Sequence, residues 1–363
     1  MFFDLCALTA KRPAASLRPM AAPSASQRFL QAVTRIAPGL ELVEGSMREQ
    51  LASASELVSD LGSHVLGSGG KRIRPALVLL SAELCGYTGP RRVQVAAAVE
   101  LLHTATLLHD DVVDLSELRR GRPSANAIWG NRRAVLGGDF LYARASSMIV
   151  EDGDLDILWI FADTIRSMAE GELLQLARSF DDTVTEAHYF AVIERKSAVL
   201  LSAACQAGAI LGGVTRAERR RLADFGRELG LAFQLRDDAL DYEAGAEELG
   251  KQPHTDIREG KVTLPLLLTL KRCTPAERGA VAAVLKKAAL LSDLGRSGEQ
   301  DVGESLDLAP AIELVDRYRG VTDTVRRAEQ HVARAQAAIA PFGDGVATQD
   351  LLAAARFSVS RDR

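Results

Sequence analysis

Aromatic side chains make up only 5% of the 363 residues, and cysteine occurs four times, at Cys6, Cys85, Cys205 and Cys273. These cysteines lie far apart with no paired spacing, which argues against a zinc site or a disulfide framework and makes a reducing compartment the default. Strand signals are missing as well. There is no clean period-two alternation and no Asn-Gly or Asp-Gly hairpin flanked by β-branched residues. Basic charge is not in excess: the net charge is −4 and the pI is near 6.0. Nothing global therefore points to nucleic acid or an anionic membrane. Nor is there a membrane span. The uncharged stretch SAVLLSAACQAGAILGGVT (197–215) is diluted by Ala, Gly and Ser and contains Gln206, where a span needs about 20 predominantly apolar residues. It reads as a buried helix whose Ala204, Gly208 and Gly212 allow close approach.

What is present is helical periodicity, in long segments cut by Gly and Pro. The composition, 47% hydrophobic and 25% charged, is that of an ordinary globular chain. The pattern predicts helices over about 42–65, from Pro75 to Gly86, and over about 91–116, 131–150, 154–178, 185–213, 216–243 and 264–271. Two more follow and end near Val359. Pro75 and Pro265 suit the first turn of a helix, where a missing N–H costs nothing. Polar segments 244–262 and 291–309 read as loops. With no repeat and no linker, residues 31–363 are expected to form one all-α domain, a bundle of long helices. Residues 1–30 are rich in Ala, Ser, Pro and Arg, with Asp4 as the only acid. They are expected to be a disordered extension, with an organelle transit peptide as the alternative.

The chemistry concentrates in two acidic motifs. HTATLLHDDVVD places Asp110, Asp111 and Asp114 at one end of a helix face, with His103 about two turns earlier. FQLRDDALDY repeats the spacing with Asp237, Asp238 and Asp241. One such motif alone reads more readily as an acidic helix end on the surface. Two facing each other would crowd six carboxylates, which cannot all ionise without cations or raised pKa values. Hard oxygen donors in this number suit Mg²⁺ bridging to phosphate oxygens. Bases gather beside these motifs: Lys71, Arg72 and Arg74 in GGKRIRP, Arg119 and Arg120 in LRRG, Lys196 in ERKSA, and Lys251, Arg258 and Lys261 in GKQPHTDIREGK. Arginine forks and compact lysine charges both bind phosphate. Gln234 stands one turn before Asp237 and Asp238, at the same mouth.

In order, GGKRIRP, LLHDDVVD followed by RRG, ERKSA, FQLRDDALD and DIREGKVTLP resemble the trans-type polyprenyl diphosphate synthases, from about residue 40 to the terminal SRDR. HTATLLHDDVVD and SANAIWGN look closest to the long-chain members, such as octaprenyl diphosphate synthases. The resemblance implies an isoprenoid synthase bundle around a central cavity, and a Mg²⁺-dependent head-to-tail elongase. It implies an allylic diphosphate held through metal by the six aspartates, with Arg119, Lys196, Ser197, Gln234, Lys251 and Lys261 assisting. It places isopentenyl diphosphate on Lys71, Arg74, His103 and Arg120. Ala105 and Thr106, just before Asp110, would border the product tunnel, with Leu101, Leu102 or Met148 as candidates for its deeper limit. A homodimer in the cytoplasm of a bacterium is expected, or a mitochondrial protein if residues 1–30 are a transit peptide. Two positions depart from the family pattern. Ser197 replaces a threonine and keeps the hydroxyl, whereas His254 replaces a glycine, where side chains seldom fit.

Overall fold

A computed structural model of the chain describes residues 24–52, 56–67, 72–119, 121–243, 254–297 and 306–360. Lys71, Arg120, Lys251 and most of the presumed N-terminal extension lie outside them. The helices are α1 (Ala25–Leu51), α2 (Glu56–Gly67), α3 (Ile73–Leu84), α4 (Arg91–Val113), α5 (Ala125–Trp129), α6 (Asn131–Asp152), α7 (Leu155–Leu176) and α8 (Glu186–Ile193). A π-helical turn, Glu194–Ala198, joins α8 to α9 (Val199–Leu211). The rest are α10 (Arg216–Glu243), α11 (Thr255–Arg258), α12 (Leu264–Leu270), α13 (Pro275–Ser297), α14 (Ala309–Arg317), α15 (Gly320–Ile339) and α16 (Val346–Ser360). The only strands among the described residues are two-residue pieces, Leu118–Arg119 paired antiparallel with Arg122–Pro123. The all-α expectation holds.

Local chemistry explains where the boundaries differ from the sequence reading. Ser24 and Gln27 form a reciprocal capping box, at 3.2 and 2.8 Å, so α1 begins at Ala25 rather than near residue 42. Residues 25–30 are thus helical, and the single helix expected over 42–65 is two. A second box, Thr274 with Glu277, opens α13 on Pro275. That helix runs to Ser297 through the start of the loop expected at 291–309. Three helices, not two, close the chain.

The core has two main centres. One joins α3, α4, α9 and α10 through Leu77, Val95, Leu101, Leu200 and Phe225. The other gathers α10, α12, α13 and α15 through Leu235, Leu264, Leu266, Val281 and Ala328. A Cβ at Gly208 would stand 2.7 Å from backbone atoms of Val78 and Ala82, so the small residues of α9 do admit α3 closely. Among the described residues no helix is long and apolar enough to cross a membrane. This packing fixes α4 and α10 rigidly, and both carry their aspartates at their C-terminal ends.

Candidate active site

Asp110 and Asp111 occupy the last turn of α4, and Asp114 is its C-cap. Asp237, Asp238 and Asp241 lie in the last two turns of α10. Carboxylates at helix C-termini oppose the helix dipole, so both clusters stand where a cation would be favoured. Four of the six, Asp110, Asp114, Asp237 and Asp238, border two cavities. The smaller, about 260 Å³, is lined by Asp110, Asp114, Asp238, Asp256, Lys196 and Lys261. The larger, about 880 Å³, has Arg74, His103, Asp110 and Asp237 at its polar part and Leu102, Ile165, Met168, Leu200, Leu201 and Phe233 on its apolar walls. Lys196, Ser197 and Gln234 border both.

The π turn explains that shared position. It coincides with ERKSA, and such insertions in helices concentrate at functional sites. Room for it comes from the neighbouring helices. A Cβ on Gly171 of α7 would lie 2.7 Å from the Lys196 nitrogen, and one on Gly230 of α10 would lie 2.5 Å from the Ala198 Cα. Ser197 Oγ donates to Gln234 Oε1 at 2.8 Å, and Gln234 Nε2 donates to Asp238 Oδ1 at 2.8 Å. Tyr189 completes the chain by donating its hydroxyl to Asp238 Oδ2.

Burial sets the electrostatics. It raises Asp110 to about 6 despite Lys196 beside it. It raises Asp238 to about 7, outweighing the hydrogen bonds from Tyr189 and Gln234. Asp256 is pushed well up by burial and by Asp241 and Asp238. Lys261 loses hydration, but Asp114 at 3.1 Å and Glu259 at 2.6 Å more than offset that and hold it charged. Lys196 pairs with Glu172.

The aspartates are not equivalent. Asp111 is buried and taken by Arg119, whose Nε reaches both its oxygens at 2.9 and 2.8 Å while Nη2 reaches Oδ1 at 2.7 Å. Asp241 accepts from the backbone N–H groups of Thr255 at 3.0 Å and Asp256 at 3.1 Å, capping α11. His254 takes the left-handed conformation (φ 59°) that glycine would occupy freely. Thr106 borders the large cavity, but Ala105 and Met148 do not. Both are sealed in the core, at 1% and 0% exposure. Adjacent helical positions differ by about 100°, and the stripe facing the cavity runs through Leu102 and Thr106. Leu101 is likewise core.

Tyr189 and Glu172 escaped the sequence reading. Tyr189 stands seven residues before Lys196, and Glu172 stands two residues after Glu170 in EGELLQL.

The sequence profile of the polyprenyl synthetase family matches residues 55–293. The chain belongs to the polyprenyl synthetase family. It is a prenyltransferase. Octaprenyl diphosphate synthase of Escherichia coli is 41% identical over 321 residues, spanning 88% of this chain and 95% of that protein. Among solved structures, a polyprenyl synthase from Caulobacter crescentus, complexed with calcium and isoprenyl diphosphate, superposes with a TM-score of 0.84 at 40% identity over 95% of this chain and all of that one. A decaprenyl diphosphate synthase from Rhodobacter capsulatus gives 0.83 at 37% identity, over 92% and 99%.

A divalent metal fits this synthetase fold by the chemistry of its donors rather than by a ready-made cage. Among the described residues no three Asp, Glu, His or Cys side chains converge on one point. Asp110 and Asp114 from α4 and Asp238 from α10 instead line one cavity, and burial lifts Asp110 and Asp238 toward neutrality. Divalent cations held by these carboxylates would reverse that cost.

Proposed function

We propose that the protein is a long-chain trans-polyprenyl diphosphate synthase. It would add isopentenyl diphosphate units head to tail to an allylic starter such as farnesyl diphosphate. The observation that carries this reading is the common border. A charged chamber with acids from two helices adjoins a larger, mainly apolar cavity, and Lys196, Ser197 and Gln234 face both.

In this reading Lys196, Lys261 and Arg119 bind the allylic diphosphate, with Lys251 joining them by family resemblance. Arg74 and His103, with Lys71 and Arg120 by the same resemblance, bind isopentenyl diphosphate. Asp110, Asp114, Asp237 and Asp238 would hold Mg²⁺, which when bound neutralises charge on the departing diphosphate. Fixed cations meet the charge that develops as the allylic C–O bond breaks. The alkene of isopentenyl diphosphate attacks the allylic carbon, and a proton leaves C2, with the released diphosphate as acceptor. Apolar walls from Leu102 to Phe233 exclude the water that would otherwise capture the cation. A C40 product is proposed, within a C40–C50 range, as a quinone side-chain precursor made in the cytoplasm. We also read the enzyme as a homodimer, since Leu136, Tyr142 and Val150 of α6 and Trp159 of α7 are exposed.

The test is direct. Purified protein is incubated with Mg²⁺, farnesyl diphosphate and labelled isopentenyl diphosphate, and the dephosphorylated alcohols are resolved by mass. A dominant C40–C50 alcohol supports the reading. A C20 product would make it a geranylgeranyl diphosphate synthase, and no product from folded protein would point to a silent partner subunit.

A further inference from the structure

Lys261 is the only lysine or arginine of the segment 254–263 that borders the smaller cavity, and its position depends on a tightly built turn. Gly260 N–H donates to Ile257 O at 3.1 Å and Lys261 N–H to Asp256 O at 2.7 Å. This is the paired closure of a Schellman motif, with Gly260 at the left-handed position (φ 77°). The closure ends α11 and turns the Gly260 carbonyl outward.

That carbonyl is taken. Phe180 N–H donates to Gly260 O at 2.8 Å, and the Phe180 ring covers the glycine so closely that a Cβ there would meet ring atoms at 2.6 Å. Phe180 reaches this pose only by adopting φ 61° itself, a conformation unfavourable for a residue with a bulky side chain. Its loop can impose this because it is fastened on both sides. Arg178 pairs with Asp181 and donates to Thr183 at 2.9 Å, and Asp181 Oδ1 accepts from Thr183 N–H at 2.7 Å. From α13, Arg278 donates to Asp182 O at 2.6 Å and to its carboxylate at 3.1 Å. Phe180 itself is not among the residues bordering the cavity.

We propose that Phe180 is a positioning residue: a latch that seats the Gly260–Lys261 turn, so that Lys261 faces the first aspartate motif and the diphosphate site. The proposal rests on the synthase reading for its kinetic consequence, but not for its structural one. A strained residue held by a fastened loop is an arrangement that costs stability locally and delivers one ammonium group to one place.

The experiment measures backbone hydrogen exchange of the full-length protein alongside steady-state kinetics. Phe180→Ala removes the ring while keeping the demand for positive φ, and Phe180→Leu keeps an apolar cover. Exchange across 257–263 should speed up about tenfold in Phe180→Ala and less in Phe180→Leu, with α4 and α10 unchanged. The KM for the allylic diphosphate should rise about tenfold, the loss expected for one displaced charge-assisted contact, with the KM for isopentenyl diphosphate within about twofold. A cycle with Gly260→Ala separates the contact from general damage. Its Cβ collides with the ring, so the two substitutions together should cost less than their sum. Unchanged exchange across 257–263, or strict additivity, would overturn the latch. If Phe180→Ala does not fold, Phe180→Leu decides on the same exchange readout. Should no variant, nor the parent, elongate any allylic diphosphate, the synthase reading fails while the exchange result still judges the latch.

Discussion

Tyr189 donates its hydroxyl to Oδ2 of Asp238 while Gln234 donates to Oδ1, so a carboxylate from the second acidic motif is held by both oxygens. Each oxygen keeps one further lone pair, and the direction from which a metal can approach is set in advance. Such supporting contacts tune metal affinity by about 10- to 100-fold. Tyr189→Phe should weaken Mg²⁺ binding by that order, read by titration calorimetry, and lower kcat/KM for the allylic diphosphate in step. Mg²⁺ affinity equal to the parent's would show that Tyr189 only fills space.

Asp110→Ala or Asp238→Ala should lower turnover by at least about a hundredfold with the circular dichroism spectrum intact, because each removes a donor where leaving-group charge is met. Near-parental turnover in either would sink the assignment of this cavity.

The raised carboxyls predict a pH dependence of definite sign. Burial lifts Asp110 to about 6 and Asp238 to about 7, from 3.8. Between about pH 4 and 7 the metal-free native state therefore binds more protons than the unfolded chain, and its stability falls as pH rises. Glu228, lowered to about 2 by His331 and Arg334 against its burial, works in the opposite sense. Its contribution is complete above about pH 5 and does not mask the trend. The Tm of metal-free protein should decline from about pH 5 to 7.5, and added Mg²⁺ should bind more tightly as pH rises, releasing protons at pH 6 and almost none at pH 8.5. A Tm rising through that window would contradict the burial of these groups.

Product length discriminates two neighbouring residues. Thr106 borders the large cavity, so Thr106→Phe should shorten the product. Ala105 is sealed in the core at 1% exposure, and Ala105→Phe should instead cost about 1–3 kcal/mol of stability by overpacking. Mass analysis of the alcohols and thermal melts of both variants check this. Shortening by Ala105→Phe with an unchanged Tm would place the tunnel one helical position away.

Much of this was legible in the sequence, for physical reasons. The long helices announced themselves by periodicity, and the aspartate spacing fixed which carboxylates share a face. The start of α1 was missed because the Ser24–Gln27 box lies within a segment whose composition suggests disorder. The start of α13 was missed although TPAE carries a cap, a proline and an acid in order. What no single helix reveals is partnership across the fold. That Asp111 is committed to Arg119, Asp241 to the backbone of α11, and Lys196 to Glu172 depends on how successive elements fold back on one another. The orientation of Ala105 likewise depends on helix rotation, which the motif alone leaves open.

The ion pairs around the site carry one more consequence. Lys261 lies against Asp114, Lys196 against Glu172, and Arg119 against Asp111. Acids and bases thus neutralise one another, and the protein can fold with this many charges out of water. A metal–diphosphate complex entering under the proposed reading brings the same two signs in complementary form. Its cations can take carboxylates and its phosphates can take ammonium and guanidinium groups, so binding becomes an exchange of partners with little change in total charge. The energy of loading the site then comes from the difference between two sets of ion pairs rather than from bare attraction. Substrate entry should accordingly depend less on ionic strength than the density of charge suggests.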